Sequence, residues 1–176
     1  YNNDVTVQFV SQTDKPERLF ADNIKVYRKK EYVVKYYSTD NQTMEFGGTW
    51  EVIVYEKKII DPYNEVEASV GSSWVYTAKS PGLRIVTAGT RLGSFQCAAD
   101  EYYYIALTDE DSNDYTSYKI TCDATNTTEK DIMITGAIYM KAGDTLHAEL
   151  AQTIHDGLTR STDSIQNLIT ITVLED

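Results

Sequence analysis

Apolar residues recur along this chain mostly at every second position, in short runs bounded by glycine, proline or polar clusters. A period of two gives a strand one buried and one exposed face. Val5, Val7 and Phe9 alternate with Thr6 and Gln8. After the turn-forming Thr13-Asp14-Lys15-Pro16, residues Pro16 to Phe20 allow one helical turn. Ile24 to Val26 and Tyr32 to Tyr37 read as two strands joined by the basic turn Arg28-Lys29-Lys30. Gly47-Gly48 is a hairpin-turn candidate ahead of a strand from Trp50 to Tyr55, and Lys57 to Pro62 leads out of it.

Further on, Tyr63 to Gly71 is acidic and mixed, and Ser72 to Tyr76 is strand-like. Ser80-Pro81-Gly82 predicts a turn, Leu83 to Ala88 a strand, and Gly89 to Gly93 another bend. Tyr102 to Leu107 favours β structure strongly, Asp109 to Asp114 is an acidic loop, and Tyr118 to Cys122 alternates as a strand before the polar loop Asp123 to Lys130. A β-branched run from Ile132 then leads into Gly136, and a second short run, Ala137 to Met140, stops at Lys141-Ala142-Gly143-Asp144. That tetrapeptide predicts a turn with Gly143 at positive φ and Asp144 bonding back to nearby amides. Leu146, Ala148 and Leu150 open a new strand register, His155-Asp156-Gly157 reads as a turn, and Leu168 to Leu174 is a last strand. Only Thr145 to His155 approaches a helical stripe, and it alternates better as a strand. Many short strands with turn signals between them predict an all-β antiparallel sandwich, and no fixed-period repeat is present.

Charge changes the picture of partners. The net charge is −11, with 9 Lys/Arg against 10 Asp/Glu in residues 1–62 and 7 against 17 in residues 63–176. An acidic second part is a poor match for phosphate backbones, so nucleic acid is not an expected partner. No run of eighteen apolar residues occurs, so no membrane insertion is expected, and no signal-peptide pattern is visible. The first residue is Tyr1, which leaves a preceding stalk or targeting segment open. Fourteen tyrosines against four phenylalanines suit half-exposed sheet surfaces, through β-propensity or through recognition.

The search for chemistry finds little. Cys97 and Cys122 form no Cys-x-x-Cys pair, and free, partly buried thiols are expected. His147 and His155 are the only histidines, no Gly-x-Ser-x-Gly elbow occurs, and His147 is expected to project opposite Leu146. Among 27 acidic residues, chance carboxylate pairs carry no weight for a glycosidase. Asp109 to Asp114 begins like a calcium loop, but the sixth position is Asp114, not Gly, and the twelfth is Ile120, not Glu, which excludes an EF-hand. Asn41-Gln42-Thr43 and Asn126-Thr127-Thr128 match the glycosylation sequon. No catalytic residue, cofactor or resident metal is expected.

Three stretches carry a resemblance. Ile132 to Thr145, with its Gly-Asp turn between strands, is similar to a segment near the C-terminus of the tumour-necrosis-factor and complement globular-head jelly rolls. Leu168 to Leu174 resembles the closing strand of that family, and Trp74 to Ile85 resembles its Thr-Ala-Pro, x-Gly-x-Tyr stretch, with Leu83-Arg84 where an aromatic residue is more usual. The resemblance implies an antiparallel jelly-roll sandwich assembling as a homotrimer. Residues 63–176 would form the head; 1–62 would be a β-rich attachment or connector segment, or would give strands to the head. Tyr102, Tyr103, Tyr104 and Tyr139 are the candidate trimer-interface residues. The Trp74 to Gly82 wording looks more like the phage and bacterial versions. The expectation is therefore a non-enzymatic fibre or spike module of a bacteriophage virion, bound to capsid or stalk proteins and touching a host surface, with glycan as a candidate ligand. Trp74, Asp109, Asp111, Asp114, Tyr115 and Tyr118 are the candidate ligand-binding residues. A purely structural connector and a secreted ligand of the tumour-necrosis-factor kind remain as alternatives.

Overall fold

Thirteen strands and no helix make up the described part of the chain: β1 (Glu31–Tyr37), β2 (Thr43–Met44), β3 (Glu51–Val52), β4 (Lys57–Ile60), β5 (Val66–Ser69), β6 (Ser73–Thr77), β7 (Gly82–Gly93), β8 (Tyr102–Thr108), β9 (Asp114–Thr121), β10 (Lys130–Met140), β11 (Thr145–Gln152), β12 (Leu158–Arg160) and β13 (Leu168–Glu175). This computed structural model describes residues 31–40, 42–44, 50–69, 73–93, 101–111, 113–121, 130–152, 158–160 and 167–175. The expected strand at 5–9, the helical turn at 16–20, the 24–30 hairpin, Gly47-Gly48, both cysteines, both sequon asparagines and the turn at 155–157 lie outside these residues.

Every pairing is antiparallel. One sheet has β7 at its centre: β10 lies along one edge of it, β13 along the other, and β1 and β4 follow β13 outward. β12 and then β2 continue from the far end of β7. The second sheet runs β5-β6-β11-β8-β9, with β3 also on β11. The core lies between the sheets, and it is the alternation that fills it. Ile132, Ile134, Ile138 and Met140 of β10, Val86 and Leu92 of β7, and Ile169, Ile171 and Val173 of β13 meet Trp74, Tyr76, Tyr103, Ile105, Leu107, Leu146 and Leu150 from the facing sheet. Burying each large side chain contributes about 1.5–3 kcal/mol.

Strands upstream of residue 62 belong to these same sheets. β1 pairs with β13 and β4 with β1, while β3 pairs with β11. The described strands between residues 31 and 60 thus pair into both sheets.

Three boundaries differ from the sequence reading. β7 continues through Gly89 instead of bending there, because it is held on both sides: Gly89 stands opposite Met133 and opposite Leu168. β10 likewise passes through Gly136 unbroken. A Cβ at Gly136 would stand 3.0 Å from Thr116 Cγ2 and 3.1 Å from Leu107 Cδ1, so the missing side chain lets the sheets approach and does not mark a stop. Lys57–Ile60 and Val66–Ser69 are the edge strands β4 and β5, too short and too polar to show a period. The predicted turn after Met140 forms as expected: Gly143 has φ 93°, and Asp144 Oδ2 accepts the Lys141 N–H at 2.7 Å.

The core also holds a polar cluster. Arg84, 0 % exposed on the inward side of β7, donates from Nε to the Tyr76 hydroxyl at 2.8 Å and from Nη2 to the Ser80 carbonyl at 2.7 Å. Tyr76 donates to Glu65 Oε1 at 3.2 Å, and Tyr32 donates to Glu65 Oε2 at 2.8 Å. A buried carboxylate and a buried guanidinium thus share one tyrosine hydroxyl. Asp61 extends the cluster by accepting from the Tyr36 hydroxyl and from the Glu65 and Val66 amides. Burial, with the nearby carboxylates adding to it, pushes the Tyr32, Tyr36 and Tyr76 hydroxyls above the ordinary tyrosine range.

Candidate functional site

Two outer surfaces and one recess bear on function. The first surface is the outward side of the β7 sheet, where pairing sets side chains in rows. Tyr139, Leu83 and Leu174 form one row, Ala137, Ile85, Thr172 and Val33 the next, and Met133, Gly89, Leu168 and Tyr37 another. Met133 is 66 % exposed, Tyr139 57 % and Ile85 41 %. An apolar row on the solvent side of a sheet is unusual unless something covers it. At one end of this face Arg91 grips Asp131 through two hydrogen bonds, and that contact holds the Asp131 carboxyl below its usual range.

The recess lies where β8 ends and β11 begins. Its volume is about 310 Å³, and Asp109, Glu110, Asp111, Tyr115, Asp144 and Thr145 line it with Gly143. The loop is built on Asp109, whose carboxylate accepts from the Asn113 side chain and from the Asn113 and Asp111 amides. Those bonds, the Asn113 side chain first, hold its carboxyl below the usual range. The Tyr115 hydroxyl donates to the Thr145 carbonyl, and the Gly143 turn is tied to the end of β6 through Ala78. Four carboxylates around an open recess favour hydrogen-bond donors and cations. Among the described residues no three His, Cys, Asp or Glu side chains are set to hold a metal ion.

The second surface is the outward side of the β8 sheet. Tyr102 and Tyr104 project there, edge to face at 5.3 Å, and Trp50 lies 5.8 Å from Tyr104. His147 projects to this side, opposite Leu146 as expected, with Nδ1 3.9 Å from Glu149 Oε1.

The sequence candidates divide accordingly. Asp109, Asp111 and Tyr115 line the recess, Asp114 is exposed at the start of β9, and Tyr118 is 59 % exposed on the same strand. Trp74 is corrected: it is 0 % exposed, held edge-on between Tyr55 and Tyr36, and offers no face to a ligand. Tyr103 is corrected for the same reason, since alternation along β8 turns it into the core, where burial raises its hydroxyl to about 12. Tyr102 and Tyr104 stand on the opposite outer surface from Tyr139. Ile85, Met133, Trp50 and Lys119 were missed. Each stands out only once strand pairing shows which residues share its face.

The two-sheet fold is similar to that of solved structures. The fold is a tumour-necrosis-factor-like jelly roll. Murine APRIL superposes with a TM-score of 0.55 at 7 % identity, covering 82 % of this chain and 100 % of that one. The Eiger TNF of S. frugiperda gives 0.52 at 11 % identity over 83 % and 94 % of the two chains. The globular domain of zebrafish complement 1qA gives 0.50 at 8 % identity over 80 % and 92 %. No family model and no curated protein matches the jelly roll's sequence. Arg84 turns inward to the polar cluster while Leu83 turns outward.

Proposed function

We propose that this jelly roll is a non-enzymatic head module that associates with two copies of itself and presents a recognition surface. The observation that carries this reading is the set of exposed apolar side chains Tyr139, Ile85 and Met133 on the outward side of β7 and the edge strand β10. A second copy is a fitting cover, because a contact that closes by rotation leaves no such face in solvent. Three is the number the family resemblance implies. The finer reading is a bacteriophage fibre or spike module on the virion surface, joined to capsid or stalk proteins and touching a host surface; the wording of Trp74 to Gly82 supports it. The likeness to APRIL and Eiger favours a second reading, a secreted ligand of the tumour-necrosis-factor kind.

Light scattering tests the assembly. The expected mass is near three times 19.9 kDa, and a monomer at micromolar concentration overturns the proposal. Adsorption of the purified head to bacterial cells, against binding to animal cells, separates the two finer readings.

A further inference from the structure

The outward side of the β8 sheet carries an aromatic strip that neither the apolar face nor the recess accounts for. The Lys119 ammonium sits 3.8 Å from the Tyr102 ring centre and 5.7 Å from that of Tyr104, and the Trp50 ring continues the strip beyond Tyr104. Strand pairing fixes this arrangement: Tyr104 stands opposite Lys119 on one side and Ala151 on the other, and Tyr102 stands opposite Thr121. Tyr102 and Tyr104 are half-buried, and the small residues Ala106 and Ala151 beside Tyr104 are buried. Trp50 is 37 % exposed, and Lys119 is exposed.

Charge selects the occupant. In a chain of net charge −11, the register places Ala106, Ser117, Thr121 and Ala151 directly beside the rings, with Glu149 on the same side opposite Ala106. Glu149, next along β11, is 4 % exposed, Glu51 shares the inward side of Leu150, and Asp114 pairs with Thr108 at the far end. Half-buried Glu101 lies just before the strip. One cation held against two tyrosine rings, with the Trp50 ring continuing the strip, matches a ligand with apolar ring faces, many hydroxyls and a negative charge. We propose that Trp50, Tyr104, Tyr102 and Lys119 form a platform for an anionic saccharide. The C–H faces of successive sugar rings stack on Trp50 and Tyr104, and the Tyr hydroxyls meet sugar hydroxyls. Lys119 pairs with the sugar carboxylate. The two tyrosine rings already hold the ammonium in place, which lowers the entropy lost on binding.

The site names a ligand for the recognition role above and rests on that reading, so the test reports on both separately. Oligogalacturonate and α2,8-linked oligosialic acid are titrated into the full chain, with maltohexaose as the neutral comparator and the mass measured on the same samples. Trp50 fluorescence is the readout, since the other tryptophan, Trp74, is fully buried. At least one acidic oligosaccharide is expected to bind saturably below millimolar and to shield Trp50 from iodide. Maltohexaose should bind at least tenfold more weakly. Trp50→Ala and Lys119→Gln should each weaken acidic-sugar binding at least tenfold with an unchanged circular dichroism spectrum, while Asp111→Asn in the recess leaves it unaltered. Failure of both acidic sugars to bind, equal binding of maltohexaose, or binding indifferent to Trp50→Ala and Lys119→Gln overturns the platform. A trimer that binds neither sugar overturns this inference and leaves the assembly standing; a monomer that binds one does the reverse.

Discussion

Arg84 ties three segments together, because its guanidinium reaches the Ser80 carbonyl and, through the Tyr76 hydroxyl, the Glu65 carboxylate. Removing one member of a buried charged pair strands the other, at a cost of about 3–5 kcal/mol. Arg84→Ala is therefore expected to lower the unfolding free energy by about that much in a urea titration, while Arg84→Met with Glu65→Gln should recover much of the loss. The same cluster sets a pH limit. Tyr32, Tyr36, Tyr76 and Tyr103 all titrate higher folded than unfolded, Tyr103 near 12. Their contribution is complete below the unfolded tyrosine value of about 10 and is lost as pH rises through the folded values. Stability should hold level from neutral pH to about pH 10 and fall steeply above it. Tyrosinate absorbance should show a group of late-titrating tyrosines that ionise together with unfolding; all fourteen titrating near pH 10 in folded protein contradicts the account.

At the scale of the element, β10 is the strand on which sequence and structure part most clearly. Its alternation was legible, with Ile132, Ile134, Ile138 and Met140 on the inward side. Its continuity was not, because a glycine within an apolar run reads as a stop until the facing sheet is in view. Gly136→Val puts a branched side chain into a gap of 3.0 Å to Thr116 Cγ2. Overpacking of this kind should cost about 1–3 kcal/mol in denaturant titration. An unchanged midpoint would show that the sheets do not approach there. The 141–144 turn was legible in full, since a positive φ at Gly143 and an Asx bond from Asp144 are local demands that a tetrapeptide states by itself.

For the whole molecule, the decisive feature is the difference between its two outer sides. One shows the apolar rows of Met133, Ile85 and Tyr139, the other the Trp50–Tyr104–Tyr102 strip with Lys119. Ile85→Glu combined with Met133→Glu leaves the inward faces of β7 and β10 untouched. It is expected to take the light-scattering mass from about three chains to one with the β spectrum retained; a trimer that survives both charges would place the interface elsewhere. The recess around Asp109 was partly foreseen, because its acidic loop is contiguous in sequence and Tyr115 follows directly.

What the sequence determined by itself is local. A period of two specifies strands, Gly-Asp specifies the turn, and three short stretches suffice to suggest the jelly roll. Tertiary structure decided which strands are neighbours, and hence everything that depends on a shared face: Trp74 and Tyr103 in the core, Tyr139 beside Leu83, and Lys119 above Tyr102. The physical reason is that alternation states only that successive side chains point opposite ways. Which of the two directions is the interior, and what stands beside each residue there, is fixed by pairings between segments far apart in the chain.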